Sequence, residues 1–290
     1  MSTFIIFGAT GATGRLLLPV LFARGERVHA VSRQPPVAAE RAQPAWVRGD
    51  LFGGVDMLPE VADVIVSLGP LDAFSDWFDR APVAGVRRVI ALSSMSAESK
   101  SASPDPAERA LAEALRAAEQ RLLLVAAERG IGCTLLRPTL IYGGGPDRSL
   151  VPIVRFATRW RFLPIPLGAS GLRQPVHAAD LASAVDAVIG CTAAHGRIYA
   201  LGGGERLRFD RILLRLRAAL PTFVLPVPVP QVMIRAALRL RTGRDAAAIS
   251  AAAIGRMGTD LVADNSQAAR DFGFAPRAFV ANDVIAAAQR

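Results

Sequence analysis

The chain has 290 residues, 51% of them apolar, which allows one large domain or a domain with a smaller lobe. Its formal charge is +9, and Lys100 is the only lysine, so nearly all the positive charge is arginine. No run of about 18 apolar residues occurs, the first apolar stretch is too short for a secretory signal, and the arginines lack aromatic interleaving; these features argue against a membrane span, an export signal and a nucleic-acid surface.

In chain order, the first element is an apolar run, Thr3–Phe7, read as a strand. Gly8, Gly11 and Gly14 follow as Gly-x-x-Gly-x-x-Gly and lead into a helical run, Gly14–Arg24. A first glycine there permits a tight turn, a middle one lets backbone approach a pyrophosphate, and a last one lets helix and strand pack closely. The helix N-terminus offers free N–H groups. A plain tight turn is the competing reading. The place between strand and helix favours a phosphate site made by Gly8, Thr10, Gly11, Ala12, Thr13 and Gly14.

The second strand, Arg27–Val31, ends in Ser32 and Arg33. An acidic residue at this point binds the ribose hydroxyls of NAD, whereas a guanidinium suits a 2′-phosphate. NADP(H) is therefore preferred and NAD(H) admitted, with a solvated loop arginine as the plain alternative. The third strand, Ala45–Val47, leads to Asp50 and Leu51, where an adenine would lie. The fourth, Val64–Leu68, places Leu68, Gly69 and Pro70 at its mouth.

Strands Arg88–Leu92, Cys133–Leu136 and Ile198–Leu201 follow, with helices Pro106–Arg129, Ala179–Ile189, Phe209–Ala219 and Gln231–Arg239. Strand–helix alternation at this pace predicts an α/β fold, a Rossmann-like doubly wound parallel sheet covered on both faces. The alternation fades after about residue 140, where Gly143, Gly144, Gly145, Pro146, Pro152, Pro164, Pro166 and Gly168 crowd together. Residues 1–145 are expected to form the NAD(P)-binding core. Residues 146–290 would supply the remaining core elements and a small C-terminal substrate lobe. Cys133 and Cys191 show no metal spacing and read as reduced core residues, which suits a cytoplasmic protein.

Taken together, "FIIFGATGATG", "RRVIALSSMSA", "LLRPTLIYGGG", "LRQPVHAADLASAV" and "LVADNSQAARDFGFAPRAF" resemble the extended and atypical short-chain dehydrogenase/reductases of the NAD-dependent epimerase/dehydratase group. The resemblance covers nearly the whole chain and implies Pro138 beside the cofactor. Hydride-transferring members use a Tyr-x-x-x-Lys pair on the helix after the fifth strand, where the lysine lowers the tyrosine pKa and holds the nicotinamide ribose. Here Leu111 and Leu115 stand at those places if Glu119 is the glutamate that commonly follows the lysine. The only tyrosines are Tyr142 and Tyr199, and neither has the spacing to Lys100.

The resemblance leaves Ser94 and Ser96 to hold a substrate oxygen, with Tyr142 as substitute acid/base or else a packing tyrosine. Lys100 reads as a displaced base or, more simply, a solvated lysine. The resemblance makes His177 an anchor of the lobe, and Asp180 reads as the N-cap of the following helix. It also places Arg173, seven residues before Asp180, where a guanidinium contacts substrate phosphates; a surface arginine is the alternative.

Three functions follow. One is an oxidoreductase or epimerase-like enzyme with an altered active site, acting on a sugar-type or small carbonyl substrate. Another is a non-catalytic NADP(H)-binding sensor or assembly subunit, similar to the 39-kDa accessory subunit of respiratory complex I. A peripheral membrane protein is the third, from "FVLPVPVPQVMIRAALRLRTGR" with Arg235, Arg239, Arg241 and Arg244. Burial of that stretch in the small lobe is preferred, so a membrane surface is disfavoured. No metal site is expected, the oligomeric state is open, and the arginine excess reads as an anionic partner or, preferably, a compositional bias.

Overall fold

The structure is a computed structural model and describes residues 1–35, 44–55, 57–81, 84–145, 147, 149–239 and 255–289. Pro146, Arg241 and Arg244 lie outside the described residues. The first half comprises β1 (Thr3–Phe7), α1 (Ala12–Ala23), β2 (Arg27–Ser32), β3 (Ala45–Asp50), β4 (Gly54–Val55), β5 (Val64–Ser67), α2 (Leu71–Arg80), β6 (Arg88–Leu92), α3 (Ser96–Ser99), α4 (Pro106–Glu128), β7 (Gly132–Pro138) and β8 (Ile141–Tyr142). The second comprises α5 (Val151–Trp160), β9 (Phe162–Pro166), β10 (Leu172–Arg173), β11 (Val176–His177), α6 (Ala178–Ile189), β12 (Arg197–Leu201), β13 (Leu207–Arg208), α7 (Phe209–Ala219), β14 (Leu225–Val229), α8 (Gln231–Arg239), α9 (Ser266–Phe272) and α10 (Ala281–Ala288).

The main sheet runs β12-β7-β6-β5-β1-β2-β3-β4 and is parallel except for the short antiparallel β3–β4 edge. The chain winds outward from β1 through β2 and β3, then returns to β5 on the other side of β1. The carboxyl ends of β1 and β5 therefore flank the point where strand order reverses, the crevice in which open α/β sheets bind ligands.

The alternating pleat of β1 explains why the sheet is covered twice. Phe4 and Ile6 pack with Leu17 and Leu21 of α1 and Leu181 and Val185 of α6. Ile5 and Phe7 pack with Phe74 and Phe78 of α2 and Leu122 of α4. Each such side chain contributes about 1.5–3 kcal/mol on full burial, so a polar residue at any of positions 4–7 would open one of the two cores. β12 and α6 return from the second half to this body. The remaining elements form two smaller cores, one with Val151, Ile212 and Val284 and one with Leu163, Leu213 and Val224.

Among the helices not expected from the sequence are α2 and α5. α2 buries Leu71, Phe74 and Phe78, a spacing of three and four on one face. α5 begins in the proline-rich stretch, where Pro152 sits in the first turn and costs no hydrogen bond.

Candidate functional site

The glycine turn after β1 is defined by backbone crowding. Gly8 has φ +77°, a left-handed conformation that favours glycine, and a Cβ there would lie 3.0 Å from the Leu68 carbonyl carbon. A Cβ on Gly14 would lie 2.5 Å from the Gly8 oxygen and 2.6 Å from the Ala9 Cα, both backbone. Gly14 thus lets α1 press against the turn. Gly11 differs: it is exposed, has ordinary extended angles, and its Cβ would meet only the Gly8 oxygen, at 3.2 Å. Gly11 N–H donates to that same oxygen at 3.0 Å.

No side chain caps α1, and no acidic residue lies in its first turn of Ala12, Thr13 and Gly14. A helix start with N–H groups uncapped by side chains and a partial positive charge suits an anion.

The other strand ends meet this turn. Leu68 N–H donates to the Phe7 carbonyl at 3.0 Å, which continues β5 alongside β1. Leu51 approaches Gly69, whose Cβ would lie 3.7 Å from a Leu51 methyl carbon. Asp50 accepts from Phe52 N–H at 2.8 Å and from Gly53 N–H. Those bonds, Gly53's first, hold its carboxyl below the usual carboxylate range, and the charge of Arg33 adds to the effect. Arg33 is exposed and Ser32 half-buried, with the Ser32 hydroxyl accepting from Gln34 N–H at 3.2 Å.

A cavity of about 420 Å³ opens beside the ends of β6 and β7, lined by Ser94, Ser96, Pro138, Arg173 and Asp260, among others. Met95 N–H donates to the Pro138 carbonyl at 3.1 Å and holds the two strand ends together. Ser94 and Ser96 are thus brought to one wall.

Tyr142 does not join them. It is fully buried, its hydroxyl donates to the Ala278 carbonyl at 3.3 Å, and it accepts from Val280 N–H at 3.1 Å. Burial pushes its pKa up. Its hydroxyl is engaged by the 278–280 segment, and Tyr142 is not among the residues that line the cavity.

Arg173 lines the cavity, yet its guanidinium is already engaged. It donates to the carbonyls of Leu172 (2.9 Å), Thr259 (2.7 Å) and Arg256 (2.9 Å), and lies over the Phe209 ring. Its visible work is to fix the 256–259 segment against the lobe.

Leu111, Leu115 and Glu119 all lie on α4. Leu111 is 43% exposed, and Leu115 packs at the edge of the core shared with α2. Farther along α4, buried Glu119 accepts from Arg137 Nε at 2.7 Å and from the Ser93 hydroxyl at 2.5 Å. Arg137 also pairs with Glu98, and the Glu119 contact raises the guanidinium's pKa first. This network was missed in the sequence, where Glu119 served only to align the helix; an arginine at the end of β7 within reach of a helix glutamate was the available signal.

Lys100 is not freely solvated. Its ammonium lies 3.7 Å from Glu108, burial lowers its pKa, and Arg256 lowers it further. His177, not Asp180, caps α6, with Nδ1 accepting from Ala179 N–H at 3.0 Å. Asp180 lies within the first turn and accepts from Arg277 Nε at 2.8 Å and its N–H at 3.0 Å, tying α6 to the C-terminal segment. Among the described residues, no cluster of histidine, cysteine or acidic side chains could hold a metal, and no helix is long and apolar enough to cross a membrane.

A family model described as NAD(P)H-binding matches residues 8–154, from the first glycine of the turn to the start of α5. The chain belongs to the NAD(P)H-binding family. Solved structures similar to this NAD(P)H-binding protein include MoeE5 in complex with UDP-glucose and NAD, at 19% identity and a TM-score of 0.71, covering 99% of this chain and 97% of that one. UDP-N-acetylglucosamine 4-epimerase from Bacillus cereus aligns at 14% identity and a TM-score of 0.69, covering 100% and 99%. At such identities the likeness shows the fold, which is that of the epimerase/dehydratase group.

A curated relative, the mitochondrial NADH dehydrogenase [ubiquinone] 1 alpha subcomplex subunit 9 of Dictyostelium discoideum, is 24% identical over 229 residues, 72% of this chain. The matched region spans 61% of that relative's length. The glycine turn fits the family's cofactor: the Gly8–Gly14 approach leaves no room for a Cβ at Gly14, while Gly11 stands open above an uncapped helix start.

Proposed function

We propose that this protein holds NADP(H) as a structural or sensing ligand and does not carry out ordinary carbonyl reduction. Gly8, Thr10, Gly11, Ala12, Thr13 and Gly14 would hold the pyrophosphate, and Ser32 and Arg33 the 2′-phosphate. Asp50, Leu51, Leu68, Gly69, Pro70 and Pro138 would flank the rest of the cofactor. When bound, a nicotinamide supplies hydride chemistry; the Tyr-x-x-x-Lys pair that manages the accompanying proton in hydride-transferring relatives is what this sequence lacks.

The observation that carries this reading is at α4. With Glu119 taken as the glutamate that follows the family's lysine, Leu111 and Leu115 stand at the tyrosine and lysine places, and neither Tyr142 nor Lys100 lines the cavity. Ser94 and Ser96 can position an oxygen, and the ionisable side chains that share their cavity are Glu98, Arg173 and Asp260 rather than a tyrosine and a lysine. Loss of positioned acid/base groups costs about a hundred- to ten-thousand-fold in rate. The curated relative is named as a subunit of an NADH dehydrogenase, which supports an assembly role here.

The competing reading, an enzyme on a sugar-type or small carbonyl substrate, rests on the cavity beside Ser94 and Ser96. A steady-state assay with NADPH and a carbonyl panel separates the two. Tight NADPH binding with no turnover supports the first, and turnover at ordinary enzyme rates supports the second.

A further inference from the structure

The basic residues are spread along the chain, but their excess over acidic ones is not. Segments 148–179 and 211–244 contain twelve arginines and no aspartate or glutamate. The other 224 residues hold 22 basic and 25 acidic ones, so the whole excess lies in those two segments. In the small lobe they supply α5, β9, β14, α8 and all of α7 but its first two residues, Phe209 and Asp210.

The same lobe bears an exposed apolar surface. β9 and β14 pair in parallel with Phe162 opposite Leu225, and both side chains are exposed. Trp160 lies two residues before Phe162, Phe223 lies two residues before Leu225, and Val232 and Met233 lie in the first turn of α8. Trp160, Phe223, Leu225, Val232 and Met233 are 52–71% exposed. The expected burial of the 223–233 stretch therefore fails at four of its largest apolar residues.

The guanidinium of Arg159 lies 5.6 Å from the Trp160 ring centre, and that of Arg217 5.6 Å from the Phe223 ring centre. Arg155, Arg159 and Arg161 are exposed, and none of them forms an ion pair among the described residues.

We propose that the small lobe docks on an anionic lipid surface through Trp160, Phe162, Phe223 and Leu225, with Arg155, Arg159 and Arg161 at the phosphates. Aromatic side chains favour the headgroup depth of a bilayer, and arginine stems lie along apolar surface while their heads reach outward. A rim of one sign beside an apolar tip matches interfacial binding, which combines buried apolar area with attraction to anionic lipids. Arg155, Arg159 and Arg161 form no ion pair among the described residues, which leaves their charge for an anionic layer. The proposal is independent of the cofactor assignment.

The test is co-sedimentation of the full chain with phosphatidylcholine vesicles, with and without phosphatidylglycerol. Binding to the mixed vesicles alone, abolished by high salt, is expected. Arg159→Gln should weaken it about five-fold, from the attraction of one arginine near an anionic surface. Trp160→Ser with Phe223→Ser should weaken it further while circular dichroism and melting temperature stay unchanged. Should the double variant unfold, the emission of Trp160 in the parent decides: a blue shift with mixed vesicles that is absent in Trp160→Phe supports docking, and no such shift refutes it. Equal binding to both vesicle types, binding to neither, or anionic binding indifferent to all these substitutions would overturn the proposal. So would a dimer in light scattering that Trp160→Ser abolishes, which would assign the surface to a second copy of the chain.

Discussion

Gly11 and Gly14 belong to one motif, but the structure gives them separable roles. A serine at Gly11 sits at the N-cap, where its hydroxyl can accept from the N–H groups of Thr13 or Gly14. Its Cβ requires the Gly8 oxygen to give by a few tenths of an ångström at most. Serine at an N-cap exceeds glycine by only a few tenths of a kcal/mol, so the ligand-free protein should melt within about a degree or two of the parent. The same hydroxyl occupies the N–H groups that a pyrophosphate would use, and it fills the open approach. NADPH affinity should fall at least about ten-fold, or 1.4 kcal/mol.

Valine at Gly14 does the reverse. Its Cβ meets backbone at 2.5–2.6 Å, which no side-chain rotation relieves. Overpacking of this kind costs about 1–3 kcal/mol, and valine's helix propensity returns only a few tenths. At roughly 2–4 °C per kcal/mol, the ligand-free melting temperature should drop by about 2–12 °C. Differential scanning fluorimetry without ligand and calorimetric titration with NADPH read the two effects separately. A Gly11→Ser protein that binds NADPH as tightly as the parent would refute the phosphate role of the turn, whatever Gly14→Val does.

If Arg33 meets a 2′-phosphate, the parent should prefer NADPH over NADH by about ten- to a hundred-fold, from a charge-assisted pair of roughly 1.5–3 kcal/mol, and Arg33→Ala should erase the preference; equal dissociation constants in the parent would remove the assignment. Arg137→Ala leaves buried Glu119 without its guanidinium and should cost about 3–5 kcal/mol, seen as a lower midpoint in urea; an unchanged midpoint would show that the pair holds nothing together. Burial first, and then Arg27, Arg277 and Arg88 respectively, lowers the pKa of His29, His177 and His195 below the usual 6.5. The unfolded chain therefore binds more protons than the folded one between those lowered values and pH 6.5, and stability should decline as pH falls through that window. A melting temperature that stays flat or rises on acidification there would contradict the lowered values.

The strands at the centre of the sheet were legible because parallel strands buried on both faces read as unbroken apolar runs, as Phe4–Phe7 and Val64–Val66 do. Their ends were less so. β3 continues to Asp50, three residues past the expected stop, because the Arg48–Asp50 backbone is held by pairing with β2 and β4 that no local pattern announces. The glycine turn was legible from spacing, while the difference between Gly11 and Gly14 needed the position of the Gly8 carbonyl. Tyr142, Arg173 and Asp180 resisted sequence reasoning for one shared reason. Each is engaged by a segment about 80 to 140 residues away, the 256–259 stretch or the 277–280 stretch, so what their polar groups face could not be read locally. The absent tyrosine and lysine, by contrast, were visible at once.

Binding without turnover can be read in one trace. NADPH fluorescence is followed after mixing with excess full-length protein in the presence of an aldehyde and ketone panel. The cofactor should show an immediate rise as it enters the site and then a steady signal. No rise would mean that the glycine turn holds no nicotinamide nucleotide, and a rise followed by decay at ordinary enzyme rates would mean that the chain reduces carbonyls by a route its α4 residues do not reveal.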